Sequence, residues 1–134
     1  AELVSELPLV QGRQSTGANA IAGYGDTGGD ERIVVVGGDF TADTVSTGNS
    51  AYSLDHGSTW LIPMEPPHGY RGSVIFLDEK RLIACGTSGV DISEDGGVHW
   101  RLISKESYHV VRKANEGQLV LLAGAGGRMA KLVW

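Results

Sequence analysis

One eight-residue pattern occurs twice in this chain and limits its possible folds more than any other feature. Residues 53–60 read SLDHGSTW and residues 93–100 read SEDGGVHW, so both fit S-x-D-x-G-x-x-W. The aspartates Asp55 and Asp95 are 40 residues apart. Ser and Asp oxygens accept hydrogen bonds from nearby backbone N–H groups, Gly permits positive φ, and Trp anchors a loop on a core. The pattern therefore predicts two structural turns, each joining two strands.

The repeat length indicates how these turns are arranged. A spacing near 40 residues is typical of one four-stranded blade of a β-propeller. The residues that we expect to build the two turns are Ser53, Asp55, Gly57, Trp60, Ser93, Asp95, Gly97 and Trp100.

The repeated pattern resembles the Asp-box, or BNR repeat, of sialidases, sortilin-type receptors and photosystem II stability/assembly-factor-like proteins. In those families the box lies on the turn between the third and fourth strands of a blade, far from the catalytic centre. Residues 70–134 are most similar to bacterial members of the assembly-factor-like branch. The resemblance implies an all-β propeller and carries little information about chemistry.

Turn residues divide the chain into predicted strands, and no stretch shows useful helical periodicity. The last strand of the first blade is predicted at 60–64, the strands of the second blade at 70–77, 81–86, 90–93 and 100–104, and a turn at 26–30. We expect a single domain over residues 1–134, in which 13–65 form a first four-stranded blade and 66–105 a second. Residues 106–134 form a third blade that lacks its outer strand. Residues 1–12 are predicted to supply an outer closing strand for the third blade, within or between subunits.

The second and third predicted blades align without a gap over three strands. Sixteen positions separate Tyr70 from Gly86, and the same number separates Tyr108 from Gly124. This register predicts that Arg71 and His109 are equivalent. A third copy of the turn would then begin at Lys131, where the sequence has KLVW instead.

Three blades are too few for a closed propeller, which needs at least four. Open flanks would expose apolar surface, and such surface drives association. We therefore predict a two-fold homodimer that builds a six-bladed ring. The alternative is that the chain is a piece of a longer, seven-bladed propeller.

The composition of the chain excludes some classes of binding partner. The chain has 134 residues, 41% hydrophobic and 20% charged, with a formal net charge of −5. This acidity argues against nucleic acid or an anionic membrane as the main partner. No apolar run is long enough to span a bilayer, and the compartment is left open. The single Cys85 excludes an intrachain disulfide and is expected to be a buried small hydrophobe.

In propellers of this kind, the mouth of the central channel is the usual ligand surface. The candidates that precede or begin the inner strands are His68, Tyr70, Arg71, Tyr108, His109 and Arg112. The Arg71 guanidinium could reach the channel and bind a carboxylate or phosphate. Alternatively, Arg71 pairs with an acidic neighbour or caps backbone carbonyls of an adjacent blade.

Catalysis is not predicted. The F/Y-R-I-P motif of sialidases is absent, and no two carboxylates are placed for glycoside hydrolysis. The four histidines lack metal-ligand spacing, and no dinucleotide fingerprint is present, so no metal or cofactor is expected. We predict a non-catalytic module that binds a protein or small ligand. The alternatives are a carbohydrate-active protein or lectin, with a glycan as partner, and a propeller building block without selected activity.

Overall fold

The computed structural model describes residues 6–25 and 31–133, and these residues form an all-β structure without an α-helix. The turn predicted at 26–30, the first part of the closing strand at 1–5, and Trp134 lie outside the described residues. The strands form three antiparallel sheets. Their bounds are β1 Thr16–Tyr24, β2 Arg32–Asp39, β3 Ser50–Ser53, β4 Ser73–Phe76, β5 Leu82–Gly86, β6 Gly89–Ser93, β7 Trp100–Ser104, β8 Val110–Lys113, β9 Val120–Ala123 and β10 Met129–Leu132.

The first sheet contains β1, β2 and β3 in chain order. The predicted fourth strand at 60–64 is reduced to one bridge, in which Tyr52 and Leu61 exchange backbone hydrogen bonds of 3.0 and 2.8 Å. Pro63 cannot donate to a ladder, and the chain then leaves this sheet. Glu65 instead bonds to the second sheet, where it accepts from the Trp100 N–H at 2.8 Å. The four-stranded expectation for the first blade is therefore wrong in its last strand.

The second sheet is a four-stranded meander in the order β4, β5, β6 and β7. Its strands follow the predicted segments closely, because each is bounded by turn residues such as Asp78 and Gly96. The first turn of the repeated pattern follows β3, and the second joins β6 to β7.

The third sheet contains β8, β9 and β10, with no fourth strand among the described residues. Its register corrects the gap-free alignment. Cys85 pairs with Ser73 in the second sheet, whereas the corresponding Ala123 pairs with Val110, one residue earlier than the alignment requires. Because the turn after β8 is one residue longer, Arg71 corresponds to Tyr108 and not to His109.

The three sheets pack face to face in chain order, and each interface has its own core. Side chains alternate along each strand, so β5 contributes to both cores. Between the first and second sheets the core contains Val34, Val36, Val74, Leu82, Ala84 and Trp100. Between the second and third it contains Leu77, Ile83, Cys85, Val90, Tyr108, Val111, Val120 and Leu122.

Residues 6–12 form no strand. Leu9 packs with Val35 and Ala51 on the outer side of the first sheet, and the Val10 N–H bonds to the Gly48 carbonyl at 2.9 Å. This part of the predicted closing segment therefore lies on the first sheet of its own chain. Pairing with a third sheet in another chain stays a prediction.

Candidate functional site

The first repeated turn is held together by two side chains. The Ser53 hydroxyl accepts from the Gly57 N–H at 2.9 Å and donates to Asp55 at 2.8 Å. The Asp55 carboxylate accepts from the Thr59 N–H at 2.9 Å and the Thr59 hydroxyl at 2.5 Å. These hydrogen bonds lower the pKa of Asp55 from 3.8 to about 2. His56 and Gly57 have positive φ, as the sharp reversal requires.

The second turn repeats these bonds. Ser93 accepts from the Gly97 N–H at 2.9 Å, and Asp95 accepts from the His99 N–H at 2.9 Å. The His99 imidazole replaces the threonine hydroxyl, with Nδ1 2.6 Å from the Asp95 carboxylate. Trp100 is 1% exposed and donates its indole N–H to the Gly97 carbonyl at 3.2 Å. Both turns use their polar groups internally, so their role is structural.

Arg71 lies inside the protein, in a buried cluster with Asp91. Both side chains are 0% exposed, and Arg71 Nε donates to Asp91 Oδ2 at 2.9 Å. Arg71 Nη2 lies 2.7 Å from the same oxygen, outside hydrogen-bond alignment. Nη1 donates to the Tyr70 carbonyl at 2.9 Å and to Ser88 at 3.0 Å. Of the two roles considered for Arg71, the structure shows pairing with an acidic neighbour, so its guanidinium does not line an open surface.

His68 contacts the other side of the same carboxylate. Its Nδ1 lies 2.7 Å from Asp91 Oδ1, and its backbone N–H donates to Asp91 Oδ2 at 3.0 Å. Buried Asn49 donates to the carbonyls of Pro67 and Gly69 at 2.8 and 2.7 Å. The segment that connects the first and second sheets is therefore fixed at several points, and His68 is held with 40% of its side chain exposed.

The start of each inner strand passes tightly over a glycine. A Cβ on Gly37, Gly86 or Gly124 would collide with the backbone at 17–18, 70–71 or 107–108, respectively. These matching collisions make Ala18, Arg71 and Tyr108 equivalent positions. The residues that follow them, Asn19, Gly72 and His109, are therefore also equivalent.

These three equivalent positions meet in one cleft of about 270 Å³. Each of the three sheets contributes one of them, so the cleft lies where the inner strands begin. The lining residues are Asn19, Tyr70, Gly72, Gly86, Thr87, Tyr108 and His109. Three of the six ligand-binding candidates are thus brought together.

The side chains of this cleft are aromatic and polar. Burial raises the pKa of Tyr70, although a hydrogen bond with Asn19 acts in the opposite direction. Tyr108 is 6% exposed, and the Arg128 guanidinium lies 5.9 Å from its ring centroid. The His109 imidazole is exposed and has no hydrogen-bond partner within the described residues. The cleft can therefore offer the partly buried Tyr70 ring, an amide and an imidazole to a ligand.

The structure places the other three candidates outside the cleft, and two of the polar residues that line the cleft were not predicted. His68 and Arg71 belong to the Asp91 cluster, and Arg112 is exposed, donating to the Val111 carbonyl at 2.8 Å. Asn19 and Thr87 were not anticipated. Asn19 is the only polar residue among the small side chains of residues 17–23, and this was its one signal.

Residues 6–25 and 31–133 were searched for metal-binding groups and for membrane-spanning helices. No group of three or more His, Cys, Asp or Glu side chains there is placed to hold a metal ion. That part of the chain also contains no helix with the length and hydropathy to cross a membrane.

Comparison of the chain with protein-family models, with curated proteins and with solved structures finds no match.

Proposed function

We propose that this protein is a non-catalytic binding module built as an arc of β-propeller blades. The three sheets are the blades, and two copies of the chain complete a six-bladed ring. The hydrogen bonds that the two S-x-D-x-G-x-x-W turns share support a relation to Asp-box proteins, among which the assembly-factor-like branch is the one that the sequence resembles most. The stacking of three antiparallel sheets in chain order supports the propeller arrangement.

One observation carries the binding function: equivalent positions of all three sheets converge on one cleft. Ligand sites form where several elements bring a few polar groups to a concave surface. Here the groups are Tyr70, Tyr108, His109 and Asn19. At about 270 Å³, the cleft lies just below the usual range for drug-sized ligands. It suits one small molecule or one side chain of a protein partner.

The absence of carboxylates supports binding over catalysis. None of the described residues that line the cleft is Asp or Glu, so the site lacks the acid–base pair of a glycosidase. Asp91, the buried carboxylate of the Arg71 cluster, is already shared between Arg71 and His68. The cleft therefore lacks the pair of carboxylates that glycoside hydrolysis needs.

A carbohydrate is the second candidate ligand. The Tyr70 ring beside an amide and an imidazole suits the apolar face and hydroxyl groups of a sugar ring, since tyrosine combines an apolar ring with a polar end. A glycan array and a panel of chromogenic glycosides separate a lectin from an enzyme and from a module that binds no sugar.

The test is a ligand screen by saturation-transfer NMR with a library of monosaccharides, amino acids and small anions. Hits are titrated into the wild type, Tyr70→Phe, His109→Ala and the control His99→Ala. His99 is equally a surface histidine, but it belongs to the second turn. We expect His109→Ala to weaken binding at least about tenfold and His99→Ala to leave it unchanged. Equal affinities of all four proteins would remove the cleft from consideration.

A further inference from the structure

The third sheet has a face that no described residue covers. Strand pairing places Val34, Ile83 and Leu121 at the same position in β2, β5 and β9, facing the next sheet. Their exposures are 0%, 0% and 37%. Val90 and Met129 match in β6 and β10 and are 3% and 69% exposed. The open face therefore repeats the positions that form both existing interfaces, and it lacks only the next sheet.

The first sheet has the complementary opening. Ile21, Val74 and Val111 match in β1, β4 and β8, facing the preceding sheet. Val74 is 5% exposed and Val111 0%, because a sheet covers each of them, whereas Ile21 is 67% exposed. Leu7 and Leu9 pack on this side of the first sheet, and Ile21 remains accessible beside them.

The backbone repeats the same arrangement. The Gly37 carbonyl accepts from the Arg71 N–H of the next sheet at 3.0 Å, and the Gly86 carbonyl accepts from the Tyr108 N–H at 3.1 Å. Gly124 holds the acceptor position in the third sheet, as its matching backbone collision shows. Ala18, which matches Arg71 and Tyr108, holds the donor position in the first sheet.

We infer that the occupant of the open face is a second copy of this chain. The third sheet of one copy docks on the first sheet of the other, with Leu121 and Met129 covering Ile21 of the partner subunit. The Gly124 carbonyl then accepts from the N–H of Ala18 of the partner subunit, continuing the two existing bonds. Around a two-fold axis this contact forms twice and closes the ring. The inference rests on the proposed ring and adds its docking surface.

A second copy fits both open faces, because the first and third sheets carry the two halves of an interface that the chain already makes twice. An unrelated partner would need to reproduce both the apolar positions and the backbone donor. Obligate contacts of this kind give a dimer whose stability depends on protomer concentration.

Sedimentation equilibrium tests the surface in the full chain. The wild type should have twice the 14.1 kDa mass of one chain. Met129→Lys and Ile21→Lys should each raise the dissociation constant at least about 100-fold, because each would bury an unpaired charge. The control is Met64→Lys, whose native side chain is 79% exposed and precedes Glu65, a residue bonded to the second sheet. Circular dichroism checks that every variant is folded.

A mixing experiment tests whether the third sheet of one copy contacts the first sheet of the other. Met129→Lys and Ile21→Glu should each be monomeric alone and should form a heterodimer when mixed. In that heterodimer one junction is native and the other pairs Lys with Glu. A monomeric wild type, an equal effect of the control variant, or no recovery on mixing would overturn the inference. The cleft at His109 is formed within one chain. A failure to bind ligand there would contradict the proposed binding function and would not affect the proposed docking surface.

Discussion

Arg71 and Asp91 form an ion pair from which solvent is completely excluded, with Nε and Oδ2 2.9 Å apart. The carboxylate also accepts the backbone N–H of His68 and contacts its ring. One side chain of β6 thus holds the segment that connects the first two sheets. Since isolated buried charges are costly, each member of this cluster depends on the others.

Removing the carboxylate should be strongly destabilising. Asp91→Asn leaves the buried Arg71 guanidinium without a counter-charge, and we expect the free energy of unfolding to fall by about 3–5 kcal/mol. Glu94→Gln makes the same charge change in an exposed pair with Arg101, where 69% of the Glu94 side chain is exposed, and should cost less than about 1 kcal/mol. Urea unfolding of the three proteins measures both values. A similar loss in both variants would contradict the buried pair.

The low pKa of Asp55 predicts an acid-sensitive turn. Because the folded-state pKa is about 2, below the ordinary 3.8, the carboxylate stabilises the fold above pH 3.8. That contribution is lost as the pH falls through about 2. The stability difference between the wild type and Asp55→Asn should therefore shrink steadily over this window. A constant difference down to the lowest pH would show that the turn does not depend on the ionised form.

The two tryptophans of the repeated turns should differ. Trp100 is 1% exposed in the core between the first two sheets, so Trp100→Ala should lower the free energy of unfolding by about 3–5 kcal/mol. Trp60 is only partly buried beside Leu9, and Trp60→Ala should cost clearly less. Denaturant unfolding measures both free-energy losses, provided that the dependence of the unfolding free energy on denaturant concentration is the same in both variants. Equal costs would mean that the two turns are anchored alike.

The strand positions were predictable because turn residues set them. Each predicted segment of the second sheet contains an observed strand, since Gly, Asp and Ser clusters mark where the chain reverses. The register was not predictable to one residue, because the extra residue in the turn after β8 carries no distinctive side chain. The loss of the fourth strand after Trp60 depended on Glu65 finding a partner in another sheet.

The site was predictable in part. Tyr70, Tyr108 and His109 precede or begin inner strands, and this property, which is visible in the sequence, places them in the cleft. The burial of Arg71 depends on Asp91, which lies 20 residues later on a different strand. The sequence around Arg71 does not show whether this arginine is exposed or is buried in an ion pair.

Cys85 should be chemically silent in the folded protein. It is 0% exposed, and burial raises its pKa to about 12, so almost no thiolate is present at neutral pH. We expect a thiol-specific chromogenic reagent to label no cysteine under native conditions and one per chain in denaturant. Rapid native labelling would contradict the packing between the second and third sheets.

The proposed function is tested most directly by the imidazole resonances of the four histidines, followed by carbon–proton NMR during titration with a ligand from the screen. Each histidine reports on a different place: His56 and His99 on the repeated turns, His68 on the Asp91 cluster and His109 on the cleft. We expect a saturable shift of the His109 resonance, with the His56 and His99 resonances unchanged. The largest shift at His56 or His99, with His109 unmoved, would contradict it.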